Sequence, residues 1–138
     1  MFVNSDFSDL LRIFNDNHVK YLVIGGKDLD VWISTDASNA KAVYKALREF
    51  GAPLIGLTVK DFAEDGFFFQ MGIAPVRVDV LMGIPGADFE KCWERRFAAD
   101  FDGLKVYFIS KPDLIAAKRA SGRPQDLIDA DLLSQSDE

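Results

Sequence analysis

Gly25-Gly26, a single Lys27 and then Asp28-Leu29-Asp30 form the densest group of chemically useful residues in the chain. On an extended segment, side chains at i and i+2 point the same way. Asp28 and Asp30 would then stand side by side, roughly 6–7 Å apart at the backbone, where their carboxylates can converge on a cation. Aspartate is depleted in strands, so a pair on one face calls for a reason; a solvated acidic surface is the ordinary one. Asp79 shifts the balance. It interrupts an apolar run, Val76-Arg77-Val78-Asp79-Val80-Leu81, and projects opposite to Val78 and Val80. If that run lies beside the Asp28–Asp30 segment, three carboxylates share one patch. They would stay partly protonated unless a cation neutralised them. Hard divalent ions such as Mg2+ (or Mn2+) take oxygen ligands, typically one or two carboxylates plus water and substrate phosphate. Such ions, in pairs about 3.5–4 Å apart, serve phosphoryl and nucleotidyl transfer. Glycines at the end of a strand let backbone N–H groups come close to a phosphate, because no Cβ intervenes.

These residues need elements to position them. Phe7, Leu10, Leu11 and Phe14 recur at helical spacing behind a Ser5 cap, which predicts a helix from Ser5 to about Asn17. Lys20 to Ile24 reads as a short apolar strand stopped by Gly25-Gly26. Asp28 to Ile33 alternates strictly, with Leu29, Val31 and Ile33 on one face and Asp28, Asp30 and Trp32 on the other. A helix over Asp36 to Phe50 presents Ala40, Val43, Tyr44 and Leu47 inward and stops at Gly51. Phe67 to Met71 and Val76 to Leu81 read as an antiparallel hairpin, and Asp88 to Phe97 as a short helix. Asp102-Gly103 is a tight turn that leads into a strand from Leu104 to Ile109. Ser110 caps a helix to about Ala120. Ser121-Gly122-Arg123-Pro124 breaks it, and Pro124 opens a last helix through Leu133.

The chain has 138 residues, 49% of them apolar and 28% charged. That is the size and composition of one globular domain rather than a disordered chain, here 1–133 with a frayed tail over 134–138. A single cysteine, Cys92, excludes an internal disulfide and reads as a small buried hydrophobe. There is no apolar run of membrane-spanning length and no secretory leader, which predicts a cytoplasmic protein without a membrane partner. The net charge of −6 argues against a duplex DNA partner. Charge is nevertheless uneven. Lys111, Lys118, Arg119 and Arg123 face one acid over 111–123, whereas 124–138 carries five acids and no base. A concentrated basic spot suits a small anion, although a solvated helix face would look the same. His18 reads as a surface residue at the first helix's end, Phe67 to Phe69 as core or partner surface, and Trp32 as core or a ring for a nucleobase.

The ordered set of Val23-Ile24-Gly25-Gly26, Lys27-Asp28-Leu29-Asp30-Val31-Trp32 and the distant Arg77-Val78-Asp79-Val80-Leu81 resembles the nucleotidyltransferase superfamily of DNA polymerase beta. More narrowly, the chain is similar to the small AbiEii-like nucleotidyltransferases, found as stand-alone bacterial proteins and in toxin–antitoxin pairs. The stretch from Asp113 to Asp129 is similar to that subgroup's lysine-bearing signature. The resemblance implies an α/β (α+β) nucleotidyltransferase fold, a small mixed sheet flanked by helices. It also implies metal-dependent transfer of a nucleoside monophosphate from an NTP to a hydroxyl of a protein, a tRNA or a small molecule. Asp28 and Asp30 would be catalytic metal ligands, and Asp79 the third carboxylate, ligand or base. Gly25, Gly26 and Lys118 would bind the nucleotide phosphates. Arg77 would pair with a carboxylate, and Asp126 and Asp129 would tie the last helix to Arg119 or Arg123. The alternative is a catalytically degenerate nucleotide-binding domain, or a toxin–antitoxin component that acts through an antitoxin-type partner. The family places a longer, helical connector between its glycines and D-x-D, where Lys27 stands alone. Either that helix is lost or a mobile loop is missing from the sequence, and the intact flanking motifs favour the loop.

Overall fold

The computed structural model describes residues 5–25, 29–72 and 77–135. Gly26, Lys27, Asp28, the Ser5 side chain and the last three residues fall outside that set, and with them the expectations placed on the cap, the D-x-D connector and the tail. The described residues form an α+β structure of five α-helices and a six-stranded mixed sheet. The helices are α1 (Ser5–Asp16), α2 (Ala37–Phe50), α3 (Phe89–Glu94), α4 (Lys111–Ser121) and α5 (Pro124–Ser134). The strands are β1 (Tyr21–Gly25), β2 (Leu29–Ile33), β3 (Phe68–Met71), β4 (Val78–Leu81), β5 (Phe97–Phe101) and β6 (Leu104–Phe108), in the spatial order β3-β4-β2-β1-β6-β5. β4 runs parallel to β2, and β6 parallel to β1; the other neighbours are antiparallel.

Period-two alternation sorts the strand residues between two layers. Val23, Leu29, Val31, Ile33, Val78, Val80 and Val106 join Leu10, Leu11 and Phe14 of α1 and Val43 and Leu47 of α2 in the main core. The residues one step out of phase face the other way. There Leu22, Trp32, Ile109 and Cys92 form a second cluster, with Leu81, Phe89, Trp93 and Leu114 packed against it. Asp36 caps α2 by accepting from the Asn39 N–H, and Gly51 ends it with φ +93°. Asn39 is buried but satisfied: its side chain accepts from Lys20 N–H at 2.7 Å and donates to the carbonyls of Lys20 and Ser34. α2 is thereby tied to the start of β1 and the end of β2.

Two assignments differ from the sequence reading. The helix expected over Asp88 to Phe97 stops at Glu94, and Phe97–Phe101 is instead the edge strand β5. The tight turn at Asp102 (φ +54°) and Gly103 (φ +86°) folds this segment back on β6, and Phe97 stacks on Phe108 at 5.3 Å. A 3-10 helix over Val59–Ala63, invisible to the periodicity, buries Phe62 against Tyr44 and Phe69. Trp32 is only 2% exposed and meets Phe89 edge to face at 5.0 Å, so its ring is core and offers no face to a base. Cys92 is buried as expected, and loss of solvent pushes its thiol pKa up. No helix among the described residues is long and apolar enough to cross a membrane.

Candidate functional site

Strand register places the chemistry. Gln70 of β3 lies opposite Asp79 of β4, Asp79 opposite Asp30 of β2, and Asp30 opposite Gly25 of β1. One row across four strands therefore reads Gln70, Asp79, Asp30, Gly25. The next row along the same face is Phe68, Leu81, Trp32 and Leu22. Neighbouring strands lie about 4.7–4.9 Å apart, so the Asp30 and Asp79 carboxylates occupy one patch although 49 residues separate them along the chain.

The acidic row borders a cleft of about 390 Å³, whose opposite wall is α4 and the start of α5. Gly25, Asp30 and Asp79 line one side, and Lys118, Ser121, Arg123 and Asp126 line the other. Ile24, Leu81, Ile84, Pro85, Ile109 and Leu114 complete an apolar floor and flank. Four of the residues singled out from the sequence, Gly25, Asp30, Asp79 and Lys118, thus share one cavity; Gly26 and Asp28 lie outside the described residues.

Gly25 ends β1 at a register shift with φ +96°, and a Cβ built there would meet nothing within 4 Å. Its backbone conformation, rather than crowding, calls for glycine, and the space on its Cβ side is open. Among the described residues, Asp79 is held on one side only. Gln70 Nε2 donates to Oδ1 at 2.9 Å, and Arg77 Nε lies 3.7 Å from the same oxygen. The Arg77 pairing was expected; Gln70 was missed, because nothing in a nine-residue separation signals the hairpin register that joins it to Asp79.

On the far wall, Lys118 Nζ sits 3.5 Å from Asp129 and 3.8 Å from Asp126. Asp126 also accepts from Ser121 Oγ at 2.7 Å and pairs with Arg123 at 2.8 Å. The Ser121 hydroxyl, with the neighbouring cations, holds the Asp126 carboxyl below the usual carboxylate range. Asp126 therefore meets Arg123 as expected. Asp129 instead pairs with Lys118, because it lies one helical turn past Asp126 on the α5 side facing α4, and Arg119 turns to Asp131. Ser121 was read from the sequence only as part of a helix break, and Arg123 also as one of a basic spot and a partner for α5; their place in the cleft follows from the α4–α5 corner.

Among the described residues, no three His, Cys, Asp or Glu side chains form a metal-holding group. Asp30 and Asp79 are a two-carboxylate oxygen set facing a cleft, with a glycine corner beside them and two cations opposite. Such a set can hold one small hard cation, whose remaining positions go to water or phosphate. No protein-family model matches the chain, and no curated protein matches it.

Proposed function

We propose that this chain is a metal-dependent nucleotidyltransferase of the kind its motifs resemble. It would move a nucleoside monophosphate from an NTP to a hydroxyl acceptor and release pyrophosphate. The observation that carries this reading is the in-register pairing of Asp30 with Asp79 on parallel strands, at the mouth of a cleft walled by Lys118 and Arg123. The residues present fit a Mg2+ or Mn2+ site: two carboxylates supply hard oxygens, and the cleft leaves room for phosphate to supply more. When bound, the cation offsets charge on the α-phosphate and on the departing pyrophosphate oxygen. Asp30 and Asp79 hold and orient that centre. Gly25 offers a backbone N–H to a phosphate oxygen, and Lys118 and Arg123 draw the polyphosphate tail to the opposite wall. The acceptor oxygen bonds to the α-phosphorus, the bond from that phosphorus to the pyrophosphate oxygen breaks, and the hydroxyl proton passes to water.

A second reading has its own support. Lys118 and Arg123 already neutralise Asp126 and Asp129, and Lys27 alone separates Gly26 from Asp28. Both features suit a degenerate domain that binds a nucleotide without transferring it, or one that acts through an antitoxin-type partner. Calorimetric titration with Mn2+ and then each NTP decides between binding and none, and release of pyrophosphate separates enzyme from binder. The transferase reading expects cation-dependent NTP binding in the native protein and its loss in Asp30→Asn. Native protein that binds no nucleotide in the presence of Mn2+ would sink it.

A further inference from the structure

We propose that Gln70 is a positioning residue that makes Asp79 a one-oxygen ligand and so biases the site toward small octahedral cations over Ca2+. This rests on the reading of Asp30 and Asp79 as a cation site. Gln70 stands on the edge strand β3, directly opposite Asp79, and donates to Oδ1 at 2.9 Å. Arg77, two residues before Asp79 and on the same face, brings its Nε to 3.7 Å from that same oxygen. The Gln70 hydrogen bond and the Arg77 charge both fall on Oδ1, so the other carboxylate oxygen, Oδ2, is the one better placed for a cation.

Two-oxygen ligation by Asp79 would make Oδ1 share its lone pairs between a cation and the Gln70 hydrogen bond, and would bring that cation up against the Arg77 guanidinium. Ca2+ gathers six to eight oxygens and readily takes both oxygens of one carboxylate, whereas Mg2+ is smaller and keeps a strict octahedron. Occupying Oδ1 therefore handicaps the larger ion far more than the smaller one. The amide suits this task because it donates without adding a net charge. A lysine in its place would repel the cation, and a glutamate would add a ligand.

The test compares Mg2+, Mn2+ and Ca2+ affinities of the native protein and Gln70→Met, which keeps side-chain length and loses the N–H donor. Gln70 is exposed, so the circular dichroism spectrum and unfolding midpoint should not change. The expected result is a rise of at least about fivefold in Ca2+ affinity relative to Mg2+, the scale of one lost charge-assisted hydrogen bond. Should methionine disturb the edge strand, Gln70→Asn, too short to reach Oδ1, is expected to give the same shift. Native protein that binds these cations, with selectivity unchanged in both variants, overturns the role of Gln70 alone. Native protein that binds none of them overturns both this role and the cation site beneath it.

Discussion

The two faces of the sheet are built from the same strands, one residue out of phase, and they differ sharply. Under α1 and α2, Val31, Ile33, Val80 and Val106 have no exposure at all and sit in a large apolar cluster. Under α3 and α4, the middle of each strand is equally dry at Leu22 and Trp32, but the row at the end of β2 and β4 carries half-buried acids. The cover differs in the same way. The first face is closed by two long helices, whereas α4 leaves the Asp30–Asp79 row looking into a cleft. Charged groups persist where water or a counter-ion can reach them, so this end of this face is where acids can stand without heavy desolvation.

Breaking the closed face should have the largest effect. Leu11→Ala removes a fully buried side chain between α1 and the sheet and should destabilise by about 2–5 kcal/mol in urea unfolding. A loss below about 1 kcal/mol would mean that this face repacks and is not the rigid partner in the comparison.

Acid tests the open face. Asp113 accepts from the Arg95 fork at 2.8 and 2.9 Å, tying the end of α3 to the start of α4, and that bonding holds its carboxyl below the usual range. Asp126 is held low chiefly by Ser121, and Asp36 chiefly by the Asn39 N–H. Each contributes stability that is complete above the unfolded aspartate value of about 3.9 and is lost as pH falls through the lower folded values. Arg95→Ala should therefore move acid unfolding to higher pH, read by circular dichroism; an unmoved midpoint would make the fork an idle surface pair.

Lys118→Ala should weaken NTP binding about tenfold, the loss of one charge-assisted contact, and leave Mg2+ binding nearly unchanged. Equal weakening of both would remove Lys118 from the phosphate wall. The smallest change in stability belongs to Asp30→Asn. Its melting temperature should stay level or rise, since the substitution relieves repulsion with Asp79. Marked destabilisation would show Asp30 to be a structural partner and would erase the contrast between the faces.

Much of the fold was legible because helices and strands leave different periods in a sequence. Phe7, Leu10, Leu11 and Phe14 mark α1, strict alternation marks β2, and Ser110 marks the start of α4 through its bond from Asp113 N–H. β5 was not legible. Phe97-Ala98-Ala99-Asp100-Phe101 has no alternation, and Ala98, Ala99 and Asp100, all poor strand formers, part its two phenylalanines; its pairing with β6 makes it a strand.

From the amino-acid order alone came the local elements, the face on which Asp30 and Asp79 project, and the glycine at the end of β1, since each depends on residues a few positions apart. Tertiary structure decided that β4 docks parallel to β2 with Asp79 level with Asp30, that Gln70 reaches Asp79, and that Lys118 and Arg123 close the cleft. Those outcomes depend on strand order and register. These are set by how whole faces bury against one another, and no short stretch of sequence contains them.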